Sequence, residues 1–269
     1  MLGLQSHAAA DNPGMRLAEA SAAEPTETRV AWTMDTYFGG LRVGLVDVTA
    51  RWQEGRYAMT SVVESAGALN YFVKSRMEST STGTVLDGQL EPDSYVQRHQ
   101  LQDDLRVVEL AYDGPMPQVV TTDAEDGRDS DVPQAQRSGT LDPLSPFLQM
   151  MLAYDAGRSN PCEGSIPVFD GKRRYDLKLE YVKEIEIDED TPLVGGNPGI
   201  LCEMDFKTKA GEWRSGAENQ PPTKIRIEFA KVDGDLLVPV KALSRTPIGA
   251  FVMVANRVEV SAPAATAVR

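Results

Sequence analysis

Arg174-Tyr175-Asp176-Leu177-Lys178-Leu179-Glu180-Tyr181 decides the fold. Tyr175, Leu177, Leu179 and Tyr181 are apolar or aromatic, and every residue between them is charged. Side chains along a β-strand point alternately to opposite faces. The stretch therefore reads as a half-buried antiparallel strand, with one face on a core and the other in water. A helix would need its apolar residues at spacings of three and four, which this run does not have.

The same period recurs outward in both directions. Ile225, Ile227 and Phe229 repeat it, as do Val30, Trp32 and Met34, and Val108, Leu110 and Tyr112. Tyr71, Val73 and Met77 share one parity and read as a further strand, and Phe251–Val260 reads as the last. Leu41, Val43 and Leu45 alternate, and the phase then slips to Val46, Val48 and Ala50. That slip predicts a β-bulge close to Gly44. Glu54-Gly55 signals a hairpin into Tyr57–Val63, and Asp233-Gly234 a hairpin into Leu236–Leu243.

One helix interrupts this pattern, over about residues 145–156. Ser145 suits the N-cap and Pro146 the first helical position. Phe147, Met150, Met151 and Tyr154 recur at helical spacing, Leu148 and Leu152 widen the stripe, and Gly157 suits the stop. Asp113–Gly139 reads as a long surface loop and Asp188–Gly199 as a second connection. Many strands and one main helix predict a mainly β protein: an antiparallel curved sheet with the helix packed on it. A closed barrel, a half-barrel and a β-spiral all share this pattern. Residues 1–26 read as a disordered leader or residual signal region, 27–261 as a single β-rich domain, and 262–269 as a flexible tail.

The chain has 269 residues, 41% of them hydrophobic, which is enough for a sizeable core. Its net charge of −13 makes nucleic acid a poor partner and disfavours anionic lipid headgroups for the same reason. No apolar run reaches the ~18 residues of a transmembrane helix. The two cysteines, Cys162 and Cys202, do not form a C-x-x-C motif. Both lie in strand-like contexts. They read either as a disulfide, which an exported protein would form, or as two buried free thiols. At the N-terminus, Ala8-Ala9-Ala10 and Ala20-Ser21-Ala22-Ala23 resemble small-residue cleavage sites, while Met1–Leu4 is short for an apolar h-region. The expectation is an exported chain whose start truncates its signal peptide.

No motif of a hydrolase elbow, zinc protease, P-loop or dinucleotide fold is present. The histidines are His7 and His99, and a lone strand histidine is more often structural than catalytic. Asp123, Glu125, Asp126, Asp129 and Asp131 crowd one segment. Their register does not fit a calcium loop, so a solvated acidic loop is the better reading. Two groups remain as candidates for binding. The stripe of Phe147, Met150, Met151 and Tyr154 either covers the sheet or lines an apolar cavity. Lys172, Arg173 and Arg174 either decorate a strand start after an Asp170-Gly171 turn or hold an anionic ligand or partner.

Three segments then carry a resemblance. They are Tyr37-Phe38-Gly39-Gly40-Leu41-Arg42-Val43-Gly44, Leu141-Asp142-Pro143-Leu144-Ser145, and Val168-Phe169-Asp170-Gly171-Lys172-Arg173-Arg174-Tyr175-Asp176-Leu177. In that order and spacing they resemble the domain-of-unknown-function family numbered 3108. Leu86–Tyr95, with Gly88, Leu90, Pro92 and Tyr95, resembles the family's segment between the first two. The matches run from Thr28 to Phe206. The resemblance implies a bacterial, exported, envelope-associated protein and supplies no catalytic residue.

The combined expectation is a non-enzymatic periplasmic protein that supports the cell envelope and needs no cofactor or metal. Its partner would be an apolar or lipid-like ligand or an envelope protein. The alternative is a hydrolase working through a pair of carboxylates.

Overall fold

A computed structural model describes residues 27–86, 88–122, 132–155, 161–192, 194–211, 224–232, 236–246 and 249–261. The strands are β1 (Thr28–Phe38), β2 (Leu41–Gln53), β3 (Arg56–Ser65), β4 (Ser75–Leu86), β5 (Gln89–Leu101), β6 (Asp104–Asp113) and β7 (Met116–Thr122). Two helices follow, α1 (Gln134–Arg137) and α2 (Ser145–Asp155). The remaining strands are β8 (Gly164–Phe169), β9 (Arg174–Glu186), β10 (Pro198–Ala210), β11 (Lys224–Val232), β12 (Leu236–Thr246) and β13 (Gly249–Ser261).

All thirteen strands form one antiparallel sheet in the order β7-β6-β5-β4-β3-β2-β1-β13-β12-β11-β10-β9-β8. Chain neighbours are sheet neighbours except β7 and β8, and the last strand returns to pair with the first. The edges are therefore β7 and β8, which adjoin the helical segment in sequence. The sheet curls until these edges approach, giving a nearly closed barrel.

The edges do not pair with each other. Residues 139–141 stitch them instead. The Gly139 N–H donates to the Pro115 carbonyl beside β7 (2.8 Å). On the other side the Leu141 N–H donates to the Pro167 carbonyl (2.8 Å), and the Phe169 N–H to the Leu141 carbonyl (2.9 Å). Pro167 sits on this open edge, where its missing N–H breaks no ladder bond. Gly171, with φ of 93°, turns the chain tightly between β8 and β9, and a Cβ there would lie 2.8 Å from Val108 Cγ1 of β6. Only a glycine lets this turn close down on the opposite half of the sheet.

Two apolar clusters fill the inside. One collects Val30, Trp32, Met34, Val46, Val48 and Met59 from the first half of the sheet together with Val232, Val238, Val240 and Val258 from the second. The other collects Tyr175, Leu177, Leu179, Ile200, Met204 and Phe229 from the second. Helix α2 joins them, because Leu148, Met151 and Leu152 belong to the first and Met150 to the second, while Phe147 packs against both.

Bulges adjust which face each strand buries. Thr36 pairs with Gly44 and Tyr37 with Arg42, so Val43 is the extra residue of the slip predicted near Gly44. Glu54 and Gly55 both have positive φ (50° and 74°), as the Glu54-Gly55 hairpin requires. The strands predicted on either side of Asp233-Gly234 do pair, Val232 with Leu236.

Several local readings need correction. Tyr71 and Val73 are not in a strand. Gly67–Tyr71 forms a short 3-10 helix and β4 begins at Ser75. Asp113–Gly139 is not one loop, because it contains β7 and α1. Tyr181 departs from the buried parity of Tyr175, Leu177 and Leu179 and is partly exposed. The register skips a residue there: Leu201 pairs with Lys183 and Cys202 with Tyr181, leaving Val182 as a bulge. The predicted leader 1–26, the tail 262–269, Gly157 and the acidic residues Asp123–Asp131 lie outside the described residues.

Candidate functional site

The helix is held by a carboxylate that sequence reasoning passed over. Asp142 is completely buried. Its Oδ1 accepts the N–H of Leu144 (2.8 Å) and of Ser145 (3.0 Å), so Asp142, and not Ser145, caps the entry to α2. Its Oδ2 accepts the hydroxyls of Ser81 (2.7 Å) and Ser145 (2.5 Å). Each serine hydroxyl has one proton, and both go to the carboxylate. The Tyr57 hydroxyl, 3.0 Å from Ser145 Oγ, is therefore the donor in that bond. Burial pushes the Asp142 carboxyl above the usual range against the opposing pull of these hydrogen bonds. Burial likewise raises the phenol pKa values of Tyr57 and of the neighbouring Tyr95 and Tyr112. The Tyr112 hydroxyl is buried with no hydrogen-bond partner among the described residues.

A second tie comes from the middle of the helix. Gln149 Oε1 accepts the Leu90 N–H (2.9 Å), and its Nε2 donates to the Gly88 carbonyl (2.7 Å). Together Asp142 and Gln149 lock α2 to β3, β4 and the β4–β5 hairpin. The apolar stripe then faces inward, with Leu148, Met150 and Met151 all at 1% exposure or less. Phe147 is half-buried. Tyr154 belongs to the helix, and its side chain lies outside the described residues.

The hollow beside the helix opens at the seam between the sheet edges. Leu90, Gln149, Met150, Ile166 and Leu179 contribute to its walls, and its volume is about 220 Å³. Sites for small organic ligands typically occupy about 300–1,000 Å³.

Lys172, Arg173 and Arg174 lie in the β8–β9 turn and the start of β9. Asp170 organises them. Its Oδ1 accepts the N–H groups of Lys172 (2.9 Å) and Arg173 (2.6 Å), and its Oδ2 accepts the Arg173 Nε (2.9 Å). Arg174 pairs with Asp176. Both arginines thus engage carboxylates of their own strand and turn. The stripe and the basic run are not brought together into one site.

Cys162 and Cys202 form a disulfide, with Cα atoms 5.9 Å apart, and both are buried. Cys202 is in β10, two strands from the edge, and Cys162 precedes β8. The bond thus ties the segment leaving α2 to the sheet. His99 is part-buried, with Nε2 2.9 Å from Ser75 Oγ. Burial first, and the Arg106 charge second, lower its pKa.

Sequence reasoning also missed an exposed aromatic rim. Tyr71 and Phe72 are 90% and 80% exposed, and Leu41 is 65% exposed. Leu41 pairs with Phe38, and Phe38 with Phe251, so these three residues line up across β2, β1 and β13. The Phe38 and Phe251 rings stand 4.6 Å apart. The segment carrying Tyr71 and Phe72 folds against the same corner. The Ala66 N–H donates to the Val43 carbonyl (2.9 Å), and a Cβ on Gly67 would lie 2.3 Å from the Arg42 carbonyl. The signal was present as Leu69, Tyr71 and Phe72 in one short stretch, but its parity suggested a strand.

No curated protein matches the chain. A barrel-like protein of the domain of unknown function DUF1849 from Brucella abortus has a similar crystal structure. Its TM-score is 0.55 at 10% identity, covering 88% of this chain and 98% of that one. At that identity the likeness concerns the fold alone. The model of the family described as Protein of unknown function (DUF3108) matches residues 32–256, and the chain belongs to that family.

Proposed function

We propose that this is a non-enzymatic periplasmic protein that supports the cell envelope by docking through its outer surface, and not by carrying a ligand inside the barrel. The observation that supports this reading most is the packing of α2. A carrier for an acyl chain needs a connected apolar cavity beneath residues 147–152. Leu148, Met150 and Met151 instead pack into the two core clusters, and the adjoining hollow holds only about 220 Å³. A filled interior leaves recognition to the outside.

The carboxylate chemistry of a hydrolase finds little support at Asp142. Both its oxygens are occupied by protein donors, and water has no access to it. The disulfide supports an oxidising compartment.

The test combines location and phenotype. The native host is fractionated, and the protein is denatured and alkylated with and without prior reduction. A periplasmic protein whose two thiols react only after reduction, and whose deletion sensitises cells to detergent, fits the proposal. A cytosolic protein with two reactive thiols rejects it.

A further inference from the structure

The sheet edge beside β8 is stepped. β8 pairs only with Arg174–Leu179, while β9 runs on to Glu186. The chain's own continuation has left the ladder at this point. A residue in line with β8 would stand two strand spacings from β10, about 10 Å. The Cα of Cys162 instead lies 5.9 Å from that of Cys202, because the disulfide draws Cys162 into the core, where it is fully buried. Gly164, with φ of 95°, makes the turn back into β8. From Glu180 through Glu184 residues of both faces are exposed, Tyr181 and Val182 among them.

The bonds of Leu141 fix which backbone groups face this edge. They join it to the Pro167 carbonyl and the Phe169 N–H, so these two residues turn their backbone away from β9. Ile166 and Val168 therefore bond to Leu177 and Tyr175, and Leu179 and Tyr181 continue that parity. From the other end, Ile187 bonds to Asn197 and Gly196 (both 3.0 Å), so Glu186 and Glu184 turn their groups outward. The bulge at Val182 accounts for the change of phase. Tyr181, Glu184 and Glu186 thus present N–H and carbonyl groups at the edge, with no strand against them among the described residues. A polypeptide backbone is the ligand whose donors and acceptors match such a row. Leu141 already pairs in this way with Val168 on the free side of β8.

The side chains select among backbones. Tyr181 pairs with Cys202, Glu184 with Ile200 and Glu186 with Pro198, so these three share one face of the sheet. Lys178 and Lys183 pair with Asp205 and Leu201 and belong to the other face. Neither Glu184 nor Glu186 enters an ion pair among the described residues. Two copies meeting edge to edge would set these carboxylates against each other, and like charges directly opposite are destabilising. Basic side chains opposite them are favourable for the same reason. We propose that the open edge of β9 binds an extended basic segment of a partner protein. The segment adds as a strand antiparallel to β9 and in line with β8, with basic residues opposite Glu184 and Glu186. The proposal deepens the surface-docking reading and rests on it for a partner in the cell, and its test on purified protein depends on neither compartment nor phenotype.

The probe is a short, end-blocked peptide of alternating lysine and valine, titrated into the purified, disulfide-bonded full chain. Fluorescence anisotropy of the labelled peptide reads binding, and hydrogen exchange followed by NMR reads its place. The expected result is saturable binding that slows amide exchange at Tyr181, Glu184 and Glu186 by about tenfold or more. N-methylation of the lysine nitrogens, which face the edge when lysines stand opposite the two glutamates, weakens binding about tenfold, and N-methylation of the valine nitrogens does not. Glu184→Lys/Glu186→Lys reverses the preference for the lysine peptide over its glutamate counterpart. Asp103→Lys/Asp104→Lys, the same charge change in the β5–β6 turn, leaves that preference as it was. Circular dichroism confirms that each variant is folded. Absence of saturable binding overturns the proposal, as does binding that leaves these amides exchanging as before. Protection of the same amides in the free chain also overturns it. Such protection, if lost on dilution, assigns the edge to a second copy, and if kept on dilution, to another segment of this chain. If fractionation places the protein in the cytosol while the peptide slows these amides, the periplasmic reading fails and the peptide-binding edge stands.

Discussion

The Tyr57 hydroxyl stands 3.0 Å from Ser145 Oγ, linking the third strand of the sheet to the first residue of the central helix. Eighty-eight residues separate the two in sequence. The bond is one member of a closed group with Ser81 and Asp142, and all four side chains are buried. Removing one partner strands the others without water, so the group should behave as a unit.

Asp142→Ala leaves two backbone N–H groups and two hydroxyls without their acceptor. The expected loss is about 3 kcal/mol of unfolding free energy. Asp142→Asn keeps an acceptor for the cap and should cost much less. Urea titration of both variants checks the contrast, and equal losses would contradict it.

The same residue sets a pH dependence. The Asp142 carboxyl is raised in the fold, so the folded protein holds this proton more tightly than the unfolded chain. This contribution to stability is present below the unfolded carboxylate range, near pH ~3.9. It is lost as pH rises through the folded value. Asp142→Asn should remove that component, so the difference in melting temperature between variant and wild type shifts in the variant's favour as pH rises from acid toward neutral. A constant difference over that range would argue that the carboxyl titrates normally.

Gly83 should not tolerate a side chain. A Cβ there would lie 2.2 Å from the Glu91 carbonyl oxygen and 2.7 Å from the Tyr57 ring. Gly83→Ala must displace Tyr57 or break the β4–β5 pairing at the bulge by Asp93. A loss of about 2 kcal/mol or more is expected from overpacking. The variant's melting curve checks it, and wild-type stability would mean that the strands part freely.

Gln149→Ala leaves the Leu90 N–H and the Gly88 carbonyl without their helix partner. The expected cost is about 1–2 kcal/mol, concentrated at the hairpin. Hydrogen exchange at Leu90 should quicken well before exchange in β1 or β13. Uniform acceleration along the chain would show a global effect.

Cys162 and Cys202 close a loop spanning 40 residues in sequence. Chain entropy assigns such a crosslink about 4 kcal/mol, and strain or residual structure lowers the measured value. Cys162→Ser/Cys202→Ser should lower the urea midpoint by a matching amount. Reduction of the wild type should reproduce most of the shift, and no change on reduction would show that the bond does not stabilise the fold.

The strands were legible because their signal is local. Tyr175, Leu177 and Leu179 announce a buried face through spacing alone, and the phase slip near Gly44 announces a bulge. The failures fall where distant partners decide. Ser145 has the chemistry of an N-cap, but Asp142 arrives with better geometry, because Ser81 and Tyr57 complete its surroundings from strands far away in sequence. Tyr71 has strand parity, yet the chain must cross from β3 to β4, and a short 3-10 turn does so while leaving its aromatic rings in solvent. The basic run Lys172–Arg174 looks like a binding patch until Asp170 and Asp176 fold back onto its arginines.

By itself the sequence determined the class of fold, the place of the single long helix and the family, since period, turn chemistry and motif spacing are written along the chain. Only the tertiary structure decided how the sheet nearly closes, through Gly139–Leu141 and Gly171, and that the helix fills the interior. It also decided where charge lies. A net charge of −13 is a sum without positions. Electrostatic forces between exposed groups fade over about 8–10 Å in physiological salt, so what an approaching surface meets is the local arrangement. Folding sets Arg76 against Glu64 and Arg42 against Asp35, an arrangement that no total over the chain contains.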